Sequence, residues 1–423
     1  MKYHINTGEI IEVADEIIGK GGEANIYKII SPVKYKNLVL KIYKKPIEQL
    51  KRKKIEYLIN SFTFDKSTPK KIINSIILPK HLVYNDNDTI IGYSMDIVEN
   101  KILLRDVQLN TLNDSYAMLK LFKYNKNAYL NRLKIIYNLV QVIKALHYNN
   151  IVLVDTKPDN IFISQNAEVT FIDIDGCQIY SKNNNIFYPA DALTDEYSPI
   201  EKINFKNTRV DTSWDLFILG VMAYQLLFRI HPYNLGPSNG YESQNDYKKN
   251  CMFAHGDFIP KAPLNPAHND FNNIDGSLQQ LFMECLNKGC KEPHARPSLE
   301  EWEEVLSELI KNQPLNIYTW NYGIFIKPSL MNSKKIVFSK AIMSHKITQN
   351  KYNITISWDI KNAKKAYVGY SLISYKGYYL SIENMKEISF KSSLELPIIS
   401  TYFKFILINN NDDEQVFDVK FAC

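Results

Sequence analysis

"IVLVDTKPDNIFI", residues 151–163, sets two apolar, β-branched runs around a polar knot of Asp155, Thr156, Lys157, Pro158, Asp159 and Asn160. The flanks predict short buried strands. A tight reversal between such strands asks for Gly, or for Asn or Asp followed by Gly. The knot has no glycine and carries an acid, a base and an amide within six residues. That pattern predicts chemistry at the junction rather than a plain turn.

Outward from the knot, "VTFIDIDG" ends an apolar run on Asp173, thirteen residues after Asn160. Far upstream, "EIIGKGGEANIYKII" reads as strand, Gly-rich turn, strand, and "NLVLKIY" is a third strand carrying Lys41. Phosphoryl transfer from a nucleotide needs this set of parts. A glycine-rich turn lets backbone N–H groups approach phosphates, and a lysine grips the phosphates that stay behind. Oxygen ligands hold Mg²⁺, and a carboxylate orients the attacking hydroxyl. Taken singly, each feature has a plainer reading. GxG marks a turn, Lys41 is a solvated edge lysine, Asp155–Asn160 is an Asx-turn, and Asp173 caps the turn at Asp175 and Gly176. Their order and spacing argue for the phosphotransfer site.

The rest of the chain supplies a frame. Residues 10–43 read as strands, 46–60 as a helix with Pro46 at its start, 89–100 as a strand and 129–148 as a long amphipathic helix. "KRKK" at 51–54 is expected on the solvated face of the first helix, and His147 as a packed structural histidine. Beyond residue 176 the pattern is mostly helical, with Leu216–Phe228 as a buried core helix and a capping box of Ser298 and Glu301 opening the last helix. After Pro314 helical periodicity stops. "KIVFSKA", "NITISWDI", "KAYVGYSLI", "YYLSI", "KEISFK", "YFKFILIN" and "QVFDVKF" are short alternating runs at sandwich-like spacing. They place a linker at 314–333 and an all-β domain at 334–423, with Trp358 in its core.

Composition bounds the function. The chain has 423 residues, 45% hydrophobic and 23% charged, enough for two or three cored domains. A net charge of +6 with no basic stripe gives no nucleic-acid signal. The most apolar stretch is shorter than the roughly 20 residues that span a bilayer, so no membrane segment is expected. No signal peptide is visible at the N-terminus. The five cysteines are scattered, with no CxxC pair, and are expected as free thiols in a reducing, cytoplasmic setting, delivery into another cell remaining open.

In order over residues 10–310, the chain resembles the eukaryotic-like protein kinases. "GKGGEANI" looks like their Gly-rich loop, with Ala24 where a third glycine usually sits, and "LVLK" looks like the V-A-I-K strand. "DTKPDN" is similar to D-L-K-P-x-N, and "DID" stands where D-F-G is expected. "TDEYSPIE" resembles the T-x-x-Y-x-x-P-E segment ending at Glu201. "DTSWDLFILGVMAYQLL" resembles the D-x-W-S-L-G helix with Asp215 as its acid, and "ARPS" the closing R-P-S, whose Arg296 would pair with Glu201. The "GGEANIY" and "IDIDGCQ" forms are similar to a bacterial branch of the family.

The resemblance implies a bilobal α+β kinase fold over residues 1–313, an N-lobe over 1–96 and a C-lobe over 100–313. Separately, "NITISWDIKNAKKAYV" resembles a strand pair of bacterial immunoglobulin-like domains, which implies an immunoglobulin-like sandwich after the kinase fold. The kinase resemblance implies a serine/threonine protein kinase using ATP with Mg²⁺, or Mn²⁺ in its place, on a protein substrate. Asp155 would orient the substrate hydroxyl, Lys157 offset charge on the γ-phosphate, and Thr194 stand by the acid. Asn160 and Asp173, rather than Asp175, would hold the metal. Lys41 would hold the α/β-phosphates and pair with a helix glutamate, Glu48 or Glu56, the fifteen-residue separation favouring Glu56. Gly19, Gly21 and Gly22 would cover the phosphates. Ile26, Val39, Met95, Asp96, Val98 and Phe162 would line the nucleotide slot, with residues 96–98 as hinge. The sandwich would recruit a partner or substrate.

Three departures qualify this. Leu153 and Val154 replace the His-Arg of H-R-D, so a phosphorylated activation loop has lost its usual anchor. Asp175 replaces the glycine of D-F-G. About twenty extra residues fall between His231 and Asp275. Two other readings stand beside the kinase: a small-molecule phosphotransferase of the aminoglycoside-kinase type, which generally lacks "SPIE"-like and "RPS"-like segments, and a nucleotide-binding pseudokinase scaffold.

Overall fold

The computed structural model describes residues 1–108, 128–181, 185–201, 208–236, 240–256, 266–312, 342–349, 353–361, 363–372, 386–397, 401–408 and 414–421. The chain forms two compact units, one of Met1–Phe122 with Tyr129–Gln313, the other mainly Pro314–Cys423.

The first unit opens with a closed antiparallel barrel of six strands in the order β1-β2-β3-β4-β6-β5. These are β1 (Lys2–Ile5), β2 (Ile10–Lys20), β3 (Ala24–Ser31), β4 (Leu38–Tyr43), β5 (His81–Tyr84) and β6 (Ile90–Asp96). Alternate residues of a strand point to opposite faces. On β4 that sends Leu38 and Leu40 into one apolar core with Ile11, Val13 and Val83. Val39 joins a second cluster with Tyr93 and Met95. The register pairs Val39 with Met95 and Lys41 with Tyr93, so these four belong to one face of the β4–β6 ladder. Gly92 makes this ladder fit, because a Cβ there would run into the Lys41 carbonyl.

Helix α1 (Gln49–Asn60) follows β4 and starts later than Pro46, with Glu48 as its N-cap residue. Its buried side chains are Lys54, Ile55 and Leu58. After α2 (Lys70–Ile73) and the barrel's last strands, β7 (Ile102–Leu103) runs into α3 (Leu104–Gln108). Next come α4 (Ala128–Tyr148), β8 (Ile151–Val152), β9 (Ile161–Ile163), β10 (Val169–Phe171), β11 (Gln178–Ser181) and β12 (Ile186–Tyr188). The polar knot sits between β8 and β9, the strands its flanks predicted. The region after 176 is less helical than expected, since β11 pairs with β8 on one side and β12 on the other.

Helix α5 (Ser213–Phe228) is the buried core helix, with thirteen of its sixteen residues buried. It is followed by α6 (Gln244–Lys249), α7 (Gly276–Phe282), α8 (Gly289–Lys291) and α9 (Leu299–Asn312). The capping box at α9 forms: the Ser298 hydroxyl donates to Glu301, and the Glu301 amide donates back to it at 3.2 Å.

The cysteine expectation fails at one pair. Cys251, just past α6, and Cys290 on α8 form a disulfide across 39 residues. The two Cα atoms lie 5.7 Å apart, a separation set by tertiary packing that no local spacing announces. Cys177 and Cys285 are free and buried, as expected.

The second unit contains two antiparallel sheets, β13-β14-β17 and β16-β15-β18-β19. Their strands are β13 (Ile342–Gln349), β14 (Asn353–Lys361), β15 (Lys365–Leu372), β16 (Lys386–Glu387), β17 (Lys391–Pro397), β18 (Thr401–Ile408) and β19 (Glu414–Phe421). Trp358 of β14 is buried and meets Phe405 of β18 edge-on at 5.3 Å. The expected strands at 335–341 and 378–382 lie outside the described residues. β13 was not anticipated, because "IMSHKITQ" lacks a clean apolar alternation.

Candidate active site

The knot is held by its backbone. Val154 sits at φ 61°, a left-handed conformation costly for a β-branched residue. Asp215 near the start of α5 pays for it: its carboxylate accepts from the amides of Leu153 at 2.8 Å and Val154 at 2.9 Å, and from His147 at 2.8 Å. The Trp214 indole donates to the Val154 carbonyl at 3.1 Å. This anchoring turns the next side chain, Asp155, toward Thr194, whose hydroxyl donates to it at 2.6 Å. Burial raises the Asp155 pKa, and Thr194 and Lys157 oppose that rise without cancelling it. A carboxylate so placed can accept a proton from a hydroxyl. Lys157 is half-buried two residues on. Asp159, within the knot, pairs with Arg105 of α3.

Asn160 closes a single 3-10 turn, and its carbonyl accepts from the Ile172 amide at 3.0 Å, fastening the knot to the end of β10. Its side-chain amide lies 3.5 Å from the Asp173 carboxylate. Asp173 is left-handed at φ 70° and its side chain is 42% exposed. Two neighbouring oxygen donors, with the remaining positions left to water and phosphate, suit Mg²⁺. Among the described residues no group of three His, Cys, Asp or Glu could hold a metal alone.

Lys41 does not meet a helix glutamate. Glu48 is the residue before α1, and Glu56 pairs with Arg52 at 2.9 Å on the outer face of the helix. Lys41 instead donates to Asp173 and, at 2.9 and 3.1 Å, to both oxygens of Asp175. Asp175 is fully buried, and it also accepts from the hydroxyls of Tyr43 and, at 2.6 Å, Tyr93. Burial pushes its carboxyl up, but Lys41, Lys51 and the two hydroxyls together hold it below the usual range. Burial likewise works against the Lys41 ammonium, and the two acids outweigh it.

"KRKK" is solvated only at Arg52 and Lys53; Lys51 and Lys54 turn inward. Lys51 is only 13% exposed and lies 2.7 Å from Glu23 of the Gly-rich turn, 3.0 Å from Asp191 and 4.0 Å from Asp175. Lys54 is 1% exposed and donates to the carbonyls of Cys177 and Pro189 and, at 2.8 Å, to Asp191. The signal was there: residues 51, 54, 55 and 58 share one helical face, and two of them are Ile and Leu.

The nucleotide-slot residues divide. Ile26, Val39, Met95 and Val98 fall in one apolar cluster with Ile172, which sequence reasoning missed. Asp96 ends β6 and pairs with Lys80, while the next residue's amide donates to the Asn37 carbonyl. Phe162 stands half-buried on β9, outside that cluster. Gly19 lies on β2 against Ile26, and Gly21 and Gly22 form the open turn, the Gly21 amide donating to the Ala24 carbonyl at 3.0 Å.

Past Thr194, Lys248 of α6 donates to the carbonyls of Asp195 and Ser198, and the His231 ring meets the Glu196 carbonyl at 3.1 Å. Arg296 pairs with Glu201 at 2.6 Å, and it donates to the Gly289 and Ser213 carbonyls as well. That pair was expected; Lys248 and His231 were not.

A barrel lobe and a helical lobe, with a lysine, an acid, an amide and a second acid on their facing elements, define a protein-kinase-like fold. The description "Protein kinase domain" fits residues 13–308, and the chain belongs to that family. It is 24% identical over 321 residues to "Serine/threonine-protein kinase PknD" of Chlamydia felis, covering 70% of this chain and 31% of that protein. It is 27% identical over 176 residues to "Serine/threonine-protein kinase 1" of Heliothis zea nuclear polyhedrosis virus, covering 41% of this chain and 62% of that one. The matches therefore span less than two thirds of either relative. Among solved structures, "ROP18 kinase domain in complex with AMP-PNP and sucrose" matches with a TM-score of 0.49 at 15% identity, over 73% of this chain and 84% of that one.

Proposed function

We propose that the chain is an Mg-ATP-dependent serine/threonine protein kinase. The observation that carries the reading is the hydrogen bond from Thr194 to Asp155, on the same short loop whose Asn160 side chain lies 3.5 Å from Asp173. Asp155 takes the substrate hydroxyl proton, and Lys157 offsets charge on the transferred phosphoryl. Asn160 and Asp173 would hold Mg²⁺, which would supply positive charge against the phosphates. Lys41 holds the phosphates that stay behind. The names of the two curated relatives support serine or threonine as acceptor. The Glu201–Arg296 pair supports a protein kinase over a small-molecule phosphotransferase. The intact Asp155 and Asp173 speak against a pseudokinase scaffold.

Incubation of the purified chain with Mg²⁺ and labelled ATP should transfer label to itself or to a generic protein. Asp155→Ala should lower the rate by about 10²–10⁴-fold while leaving the melting temperature and nucleotide affinity near the parent values. Normal turnover in Asp155→Ala would overturn the assignment.

The organisation that goes with this reading is a kinase domain at 1–313, a linker at 314–333 and an immunoglobulin-like sandwich at 334–423 that recruits a partner or substrate. The two antiparallel sheets sharing Trp358 and Phe405 support it. We place the activity in the cytoplasm of a bacterial cell or of a cell into which the chain is delivered. No helix among the described residues is long and apolar enough to cross a membrane. A chain ending at Asn312 should still phosphorylate a generic substrate while losing its native one, and loss of all activity would make the C-terminal unit structural instead.

A further inference from the structure

Resting on the kinase reading, we propose that Asp175, rather than a glutamate of α1, is the positioning carboxylate of Lys41, and that α1 is instead held in place by its lysines. The two acids of "DID" divide the labour. Asp173 is 42% exposed beside Asn160 and is open to a cation. Asp175 is 0% exposed and closed to one.

A buried carboxylate is tolerated only where its lone pairs are met by donors. Asp175 has Lys41 on both oxygens, Tyr93 on one and Tyr43 on the other, with Lys51 at 4.0 Å. Three of these come from neighbouring strands of the barrel, since Tyr43 and Lys41 are alternate residues of β4 and Tyr93 faces Lys41 across the ladder. The acid therefore enters a socket prepared around the lysine.

Helix α1 carries the opposite sign from the one a pairing glutamate would need. Lys51 reaches Glu23 and Asp191, and Lys54 reaches Asp191 and two carbonyls of the segment after Asp173. The helix is thus fastened to the Gly-rich turn and to the segment that follows the metal ligand. No α1 carboxylate has to arrive for Lys41 to be set.

The test uses the full chain, with Asp175→Asn, Asp175→Glu and Asp173→Asn, and a crystal structure of the parent chain with Mg²⁺ and a non-hydrolysable ATP analogue. Asp175→Asn should lower kcat at least tenfold while Mg²⁺-dependent binding of a fluorescent ATP analogue changes by less than threefold. Asp173→Asn should lose the Mg²⁺ dependence of that binding. Asp175→Glu, which keeps the acid, should retain at least threefold more kcat than the isosteric Asp175→Asn, whereas a merely space-filling role would favour the asparagine. In the crystal structure Lys41 should remain on Asp175 with no α1 carboxylate within hydrogen-bond reach.

Unchanged kcat in Asp175→Asn overturns the proposal, as does loss of Mg²⁺ dependence there rather than in Asp173→Asn. Should Asp175→Asn fail to fold, the crystal structure decides, and Glu48 or Glu56 on Lys41 overturns the proposal. A parent chain that transfers no phosphate defeats the kinase reading alone, because the crystal structure still reports which acid holds Lys41.

Discussion

The catalytic loop and the Lys41 cluster hold charged groups by opposite means. In the loop the backbone is the object held: Asp215 grips two consecutive amides, and Asp155 is aimed by the strained residue before it. Around Lys41 the side chains hold each other, drawn from β4, β6, α1 and the turn after Asp173. The first arrangement depends on one acid beneath a few consecutive residues. The second is a network, and it can exchange which element supplies which sign. The loop accordingly keeps the family's spacing from Asp155 to Asn160 even with Leu153 and Val154 in place of His-Arg, while the lysine's partner has moved.

The sharpest way to break the comparison is to remove the loop's single anchor. Asp215→Ala should cost about 3–5 kcal/mol, since it strands His147 and two buried amides, and should lower kcat at least a hundredfold. Chemical denaturation and single-turnover rates would measure both. Adding Val154→Gly should recover about 1 kcal/mol, because glycine takes φ > 0 without strain. A network should be more forgiving. Lys54→Ala should cost about 2–3 kcal/mol and speed hydrogen exchange in α1, while Lys51 still holds Asp191. A loss as large as that in Asp215→Ala would erase the distinction.

A pH effect lies outside both regions. Burial holds the pKa values of His231 and His255 at about 3 and that of His268 at about 4. All lie below the unfolded value of about 6.5, so between roughly pH 6.5 and 4 the unfolded chain binds protons that the folded one refuses. Stability should be full above that window and fall with acidification by up to about 1.4 kcal/mol per pH unit for each histidine. Replacing His231 by Gln should flatten the slope measured by denaturant titration at several pH values. The smallest expected effect is none: phosphatase treatment should leave the rate unchanged. No arginine precedes Asp155 to receive a phosphate, and Lys248, His231 and Arg296 already hold the segment from Asp195 to Glu201. A large drop after treatment would refute this.

What was legible follows the same division. The contacts Thr194–Asp155, Asn160–Asp173 and Glu201–Arg296 were readable as neighbourhoods because each residue belongs to a short motif whose spacing is fixed by local backbone geometry. The partner of Lys41 was not, since Asp175 lies 134 residues away and was read as a replaced glycine and a secondary candidate for the metal. Lys51 and Lys54 were misread because charge was taken as exposure, when their spacing with Ile55 and Leu58 marked the inner face. The Cys251–Cys290 bridge joins elements that only packing brings together. In the second unit, alternation found four strands closely and missed β13, where Ser, His and Lys interrupt the pattern, and β17, where Ser392 and Ser393 do.

The short turn from Asp173 to Gly176 bears on pharmacology. Its third residue is tied to β4 and β6 through Lys41, Tyr43 and Tyr93. A compound that works by prising such a turn out of the cleft would first have to leave a fully buried carboxylate without its donors. Inhibitors of that shape should find this chain resistant.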